Sequence, residues 1–264
     1  MENTREEREE RLSQIYTGEF RSGFHLFGIG SSDSPVSDTS ILELARQAGV
    51  SRISRILEPG CGSGGVSRLL AKTFGCSVTG IDLVHYQLEN ARARMAEEKA
   101  GSRLSYIHDD IVEFDYEENA FDVALDVFAW VHVADWQDFF DKMYFTLKPG
   151  GGIMMYDAFV TAETSKETLS EIREKWYDPG ICTVDACSRM LEKSGFHIVH
   201  CKEHRLEVSS CWQTGLDRLN AERVRLEKEW GSRVFQLFSD TIEFTLAAHE
   251  REELTAASII ARKE

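Results

Sequence analysis

The stretch LEPGCGSGG, Leu57–Gly65, constrains this chain more than any other. It joins RILE, Arg55–Glu58, which reads as the end of a strand, to VSRLLAKTFG, which reads as a helix stopped by Gly75. A glycine-rich strand-to-helix turn lets a ligand approach the backbone closely, because glycine carries no side chain and tolerates positive φ. The alternation then continues. SVTGID reads as a second strand and YQLENARARMAEEKA as a helix with an apolar face at Leu88, Ala91 and Met95. LSYIHDD, FDVALDVFA and GIMMYDAF read as three further strands, and DWQDFFDKMYFTLKPGG as a helix closed by Pro-Gly-Gly. Such a rhythm predicts a parallel sheet with helices on both faces and ligands bound beyond the carboxyl ends of the strands.

Three parts follow from the pattern. Residues 1–50 read as an N-terminal helical cap, with a charged helix at Arg5–Ile15, a polar loop at Ser31–Ser40 and Asp38 as a candidate N-cap. Residues 51–160 form the ligand-binding core. Residues 161–264 complete it: a helix in DACSRMLEKSG, a strand in FHIVHCKEHRLEV, a long helical stretch from Trp212 to Arg251 that reads as a brace or lid, and a final antiparallel strand in AASIIARK. The expected fold is α/β: a Rossmann-like, seven-stranded, mostly parallel sheet with helices on both faces, plus the N-terminal cap and a C-terminal helical insertion.

Charge narrows the partners. The chain carries 30 Lys and Arg against 45 Asp and Glu, a formal net charge of −15, and shows no basic footprint for nucleic acid. No apolar run is long enough to span a bilayer, and MENTREEREERLSQIY has no apolar stretch of the secretory kind. The expectation is a cytoplasmic protein, monomeric or homodimeric, with no membrane or nucleic-acid partner. Cys182, Cys187, His197, His200, Cys201, His204 and Cys211 crowd one stretch, but their spacing fits no standard zinc pattern and no Cys-x-x-Cys occurs, so no metal is expected. Strand alternation would put His200 and His204 on one face, and His197 and Cys201 on the other.

Gly60, Gly62 and Gly65 also satisfy the G-x-G-x-x-G dinucleotide pattern, and Asp82 stands at roughly the distance of a ribose-binding acid, about 20 residues on. The glycines alone therefore admit NAD as well as other nucleosides. Glu58, two residues before Gly60, separates the readings, because a carboxylate there repels a pyrophosphate and suits a cationic ligand.

Glu58-Pro59-Gly60-Cys61-Gly62-Ser63-Gly64 resembles the first motif of the class I S-adenosylmethionine-dependent methyltransferases. The resemblance extends through GID at Gly80–Asp82, HDDI at His108–Ile111, FDVALD at Phe121–Asp126 and LKPGG at Leu147–Gly151, about Arg55 to Asp157 in all. It implies S-adenosylmethionine as cofactor. Glu58, Gly60, Gly62 and Leu83 would then contact it, with Asp82 on the ribose hydroxyls and Asp110 and Ile111 at the adenine; Asp126, at the end of its strand, is a candidate to meet the methionine ammonium through its backbone or its carboxylate. SGFHLFGIG at Ser22–Gly30, the run from Val84 to Asn90 and the ending ASIIARK look like small-molecule, natural-product methyltransferases, including sugar O- and glycine-betaine-type N-methyltransferases. In that group Gln87 touches the cofactor and an N-terminal aromatic segment closes over it; Tyr16, Phe24 and His25 are the candidates.

His132, in FAWVHVADW, follows the fourth strand at the ligand end of the sheet and is the candidate general base. The resembling sugar enzymes tend to carry an acid four positions earlier, where this chain has Phe128; the departure makes the acceptor site more apolar. Phe128, Trp130, Trp136, Tyr156 and Trp176 are candidates to line it, with Tyr177 and Arg205 as further contacts. The function expected is methyl transfer to an O-, N- or C-acceptor on a small metabolite. C-methylation of an isoprenoid, an NAD-dependent oxidoreductase and a non-catalytic cofactor-binding module are the alternatives.

Overall fold

A computed structural model describes residues 4–15, 34–97, 102–176 and 179–264. Its centre is a seven-stranded sheet in the order β3-β2-β1-β4-β5-β7-β6. The strands are β1 (Arg55–Pro59), β2 (Ser77–Asp82), β3 (Leu104–His108), β4 (Phe121–Val127), β5 (Leu147–Val160), β6 (Phe196–Glu203) and β7 (Leu254–Lys263). β1 to β5 are mutually parallel, and β7 runs antiparallel between β5 and β6. The order reverses between β1 and β4, and such a switch point opens a crevice at the carboxyl ends of the strands.

Both faces of the sheet are covered, so the central strands are apolar on both sides. Ile56, Val123, Leu125 and Met154 belong to one buried cluster; Leu57, Ala124, Ile153 and Met155, one position over, belong to the other. The first face is packed by α2 (Asp38–Gln47), α3 (Gly65–Phe74) and α4 (His85–Glu97). The second receives α5 (Trp136–Thr146), whose Trp136, Phe139, Phe140 and Met143 fall on one stripe at helical spacing. α6 (Lys166–Lys175) and α7 (Val184–Lys193) follow. α8 (Arg205–Ala221) and α10 (Ser232–Glu250) contribute to the cavity wall, and α9 (Arg223–Trp230) stands between them in the chain.

Several boundaries differ from the sequence expectation. Ser37, not Asp38, caps α2: its side chain accepts from Ser40 N, and Asp38 is already helical. LKPGG does not close α5, which ends at Thr146; it starts β5, with an irregular register against β4. β6 ends at Glu203, and HRLEV enters α8 instead of extending the strand. Val208, Trp212, Gly215 and Leu219 are buried at spacings of four, three and four, a helical stripe that alternation over HRLEV obscured. The stretch from Trp212 to Arg251 is three helices, with a break at Gly231, whose φ of +82° lies in the left-handed region. α1 (Arg5–Ile15) docks on the turn after β3 through Arg5–Asp109 at 2.6 Å and Arg8–Asp110 at 2.7 Å.

Candidate active site

One cavity opens at the carboxyl ends of β1, β2 and β4. Its floor is the glycine loop. Gly60 N and Cys61 N donate to Ile81 O at 2.7 and 3.0 Å, tying the loop to β2. Gly60 has φ +79°, and a Cβ there would stand 2.6 Å from Ala129 Cβ, so the loop and the turn after β4 touch only because the position is glycine. Gly62 has φ +51° with nothing within 4 Å of where a Cβ would stand, which leaves its cavity face open to a ligand.

Asp82 closes the loop electrostatically. Its Oδ2 accepts from Gly62 N at 2.7 Å and its Oδ1 from Val84 N at 2.8 Å. Both backbone bonds orient the carboxylate at the rim of the cavity. Glu58 is buried below the loop and accepts from Ser67 Oγ. Burial pushes its carboxyl up to about 8, against the pull of Ser67 and Arg68. A cation arriving beside it would favour the ionised form. Gln87 lines the same wall; it is buried, and its Oε1 has no hydrogen-bond partner among the described residues, an open position for a ligand donor.

Asp110 is held by Val112 N on Oδ1 at 2.9 Å and by Arg8 Nε on Oδ2 at 2.7 Å. Arg8 thus stands against the oxygen expected to receive an adenine amino group. Glu58, Gly60, Gly62, Asp82, Leu83, Gln87, Asp110 and Ile111 all line this cavity, and so does His132. Asp126 does not: it is fully buried, and its Oδ1 accepts from Ala129 N and Trp130 N at 3.0 and 3.1 Å within its own turn. The structure does not bring the Asp126 carboxylate to the cavity.

The turn after β4 carries the candidate base. Phe128 sits at φ +54°, uncommon for a bulky residue, with its N–H on Tyr156 O at 2.9 Å. A short 3₁₀ turn, Trp130–His132, follows and brings His132 to the cavity wall. Phe128 and Trp176 line the same cavity. Trp130, Trp136 and Tyr156 are core instead. The Trp130 indole donates to Pro59 O behind the turn at 3.1 Å, and Tyr156 is sandwiched between the rings of Phe128 and His204 at 5.8 and 4.8 Å. Arg205 pairs with Glu252 at 2.6 Å and does not reach the cavity. Tyr16, Phe24, His25 and Tyr177 lie outside the described residues.

The C-terminal helices contribute residues that sequence reasoning missed: Trp212 from α8, Thr241 and His249 from α10. Nothing local marks them; each sits on an ordinary amphipathic helix that the fold carries over the cavity. His249 is buried, which pushes its imidazole down to about 4 and keeps it neutral, and its Nδ1 has no partner among the described residues. The cysteines are all free, and no group of three metal-ligating side chains occurs among the described residues. His200 and His204 do share a face, both against Ser258 Oγ, at 2.9 and 2.8 Å.

Residues 56–151 match a methyltransferase domain family. Fold and domain are those of the class I methyltransferases, whose cofactor is S-adenosylmethionine. Among curated relatives, the chain is similar to the sterol 24-C-methyltransferase of Kluyveromyces lactis, 28% identical over 197 residues that cover 71% of this chain and 53% of that protein. The chain thus spans about half the length of the curated relatives it matches. Among solved structures, it superposes on phosphoethanolamine N-methyltransferase 2 of Haemonchus contortus, in complex with S-adenosyl-L-methionine, with a TM-score of 0.87 at 21% identity, covering 97% of this chain and 60% of that one. The geranyl diphosphate C-methyltransferase of Streptomyces coelicolor A3(2) gives a TM-score of 0.70 at 15% identity over 87% and 78%. No helix among the described residues is long and apolar enough to cross a membrane.

Proposed function

We propose that this chain transfers a methyl group from S-adenosylmethionine to carbon of a small, largely apolar acceptor of the isoprenoid type, as a cytoplasmic monomer or homodimer in natural-product biosynthesis. The observation that carries the reading is one cavity whose lining combines two kinds of residue. Glu58, Asp82 and Asp110 suit a cationic amino-acid tail, a ribose and an adenine. Phe128, Trp176 and Trp212 add aromatic surface to the same cavity. Similarity to sterol and geranyl diphosphate C-methyltransferases supports the acceptor class.

The cofactor supplies an electrophilic methyl group on a positively charged sulfur. The chain's part is alignment and proton handling. The aromatic wall holds the acceptor alkene in line and excludes water. As the alkene's electron pair takes up the methyl group, the methyl–sulfur bond would break with its electrons going to sulfur, and the cationic acceptor would then lose a proton, which His132 would accept.

Calorimetry tests the cofactor half of this reading. At pH 6.5 Glu58 is mostly protonated, since its carboxyl titrates near about 8 in the free protein. A cationic tail beside it lowers that value, so binding releases part of a proton, read from titrations in two buffers of different ionisation heat. The release disappears in Glu58→Gln. Heat from NAD with none from S-adenosylmethionine overturns the reading, and binding without proton release removes Glu58 as the counter-charge.

A further inference from the structure

Ser258 is buried on β7, in register with Tyr156 of β5 on one side and Lys202 of β6 on the other. Its Oγ meets two imidazoles, Nε2 of His200 at 2.9 Å and Nε2 of His204 at 2.8 Å. A hydroxyl has one proton to donate, so only one of the two nitrogens receives it and the other must donate. Glu207, on the first turn of α8, breaks the symmetry. Its Oε2 faces His204 Nδ1 at 3.2 Å, and its Oε1 accepts from Ser40 Oγ of α2 at 2.5 Å. A ring nitrogen that turns a lone pair to a carboxylate is repelled, and one that bears a proton is attracted. Burial lowers both imidazoles below the ordinary histidine value. Lys202 pushes the same way on both, while Glu207 opposes the shift at His204 and Glu43 at His200. Both rings are therefore neutral at pH 7.5, with one proton each to place.

We infer that a directed relay, His200 Nε2–H to Ser258 Oγ–H to His204 Nε2, with His204 Nδ1–H turned to Glu207, fixes His204 in one tautomer and makes it a positioning residue for the aromatic wall of the cavity. The His204 ring stacks on Tyr156 with centroids 4.8 Å apart, and Tyr156 stacks on Phe128, a cavity residue, at 5.8 Å. His204 N donates to Ala256 O at 2.7 Å, and His204 is the N-cap residue of α8, which carries Trp212 to the same cavity. His200, His204, Glu207 and Ser258 do not line the cavity themselves, so they act through Phe128 and Trp212. The use of that wall rests on the proposed acceptor; the relay does not.

Nitrogen-15 spectra test the relay directly, because ring nitrogens with and without a proton resonate far apart. The labelled full chain is recorded at pH 7.5, with the two rings assigned by their absence in His200→Gln and His204→Gln. The expected result is a proton on Nδ1 of His204 and on Nε2 of His200. A proton on Nε2 of His204, or the same tautomer in both rings, overturns the relay.

Two variants test its parts. Glu207→Ala removes the selecting charge, so both rings show both tautomers; a single unchanged form of His204 removes Glu207 as the selector. Ser258→Ala uncouples the rings, so His204 keeps its Nδ1 proton and His200 shows both tautomers; a single form of His200 overturns the coupling through Ser258. Each variant shifts the ring resonances of Phe128, assigned by their absence in Phe128→Leu. Phe128 signals unmoved in both variants overturn the positioning role, and if one variant does not fold the other decides. A chain that binds no S-adenosylhomocysteine defeats the functional reading alone, since neither readout needs the cofactor.

Discussion

Asp82→Ala lowers affinity for S-adenosylhomocysteine by about 100-fold or more, with the thermal midpoint of the free protein little changed. The magnitude follows from two hydroxyl hydrogen bonds to a charged group, each worth about 1.5–3 kcal/mol when its partner is left unsatisfied. Asp82 also orients the loop through Gly62 N and Val84 N, so its loss releases the segment that lines the cofactor end of the cavity. Asp82→Asn keeps the size and one carbonyl acceptor and falls between the two. The measurement is a calorimetric titration of each variant. An affinity within threefold of the parent removes Asp82 from the ribose site.

His132→Ala leaves cofactor affinity within a few-fold and cuts kcat by about 10²–10⁴, the usual contribution of a positioned acid–base residue. His132 stands on the cavity wall at the end of a turn fixed by Asp126, Trp130 and Tyr156, so its removal deletes the side chain without unseating the glycine loop. Single-turnover rates at saturating cofactor separate chemistry from binding. Unchanged kcat means that the acceptor's proton leaves by another route.

The glycine-loop part of the cavity was legible because its residues lie in one run of βαβ units, where spacing alone sets geometry. Glu58, Gly60, Gly62, Asp82 and Asp110 each stand at or just after the carboxyl end of a strand, and the parallel sheet brings those ends together. Asp126 shows the limit of that logic. It too ends a strand, but its side chain is buried and turned onto its own turn amides. Residue type and position do not encode which way a carboxylate points. The acceptor end was less legible because it is assembled from distant helices. Trp212 and His249 come from α8 and α10, while Trp130 and Tyr156, aromatic and close to the site in sequence, pack behind it. The same tertiary override misplaced the β6 boundary. HRLEV alternates well enough for a strand, and only the buried stripe through Val208, Trp212 and Leu219 shows that it begins a helix. Arg8 was invisible for a related reason: its ion pair with Asp110 joins residues 102 apart in sequence and follows from where α1 docks.

Methyl transfer to carbon is tested by incubating the chain with S-adenosylmethionine labelled in its methyl group and a panel of unsaturated isoprenoid alcohols, sterols, phenols and amines, with products read by mass spectrometry. The expected result is label on carbon of an alkene-bearing isoprenoid or sterol, with one acceptor proton lost, and no label in the presence of excess S-adenosylhomocysteine. Label confined to phenol oxygen or amine nitrogen, or absent from every acceptor while S-adenosylhomocysteine still binds, would contradict it.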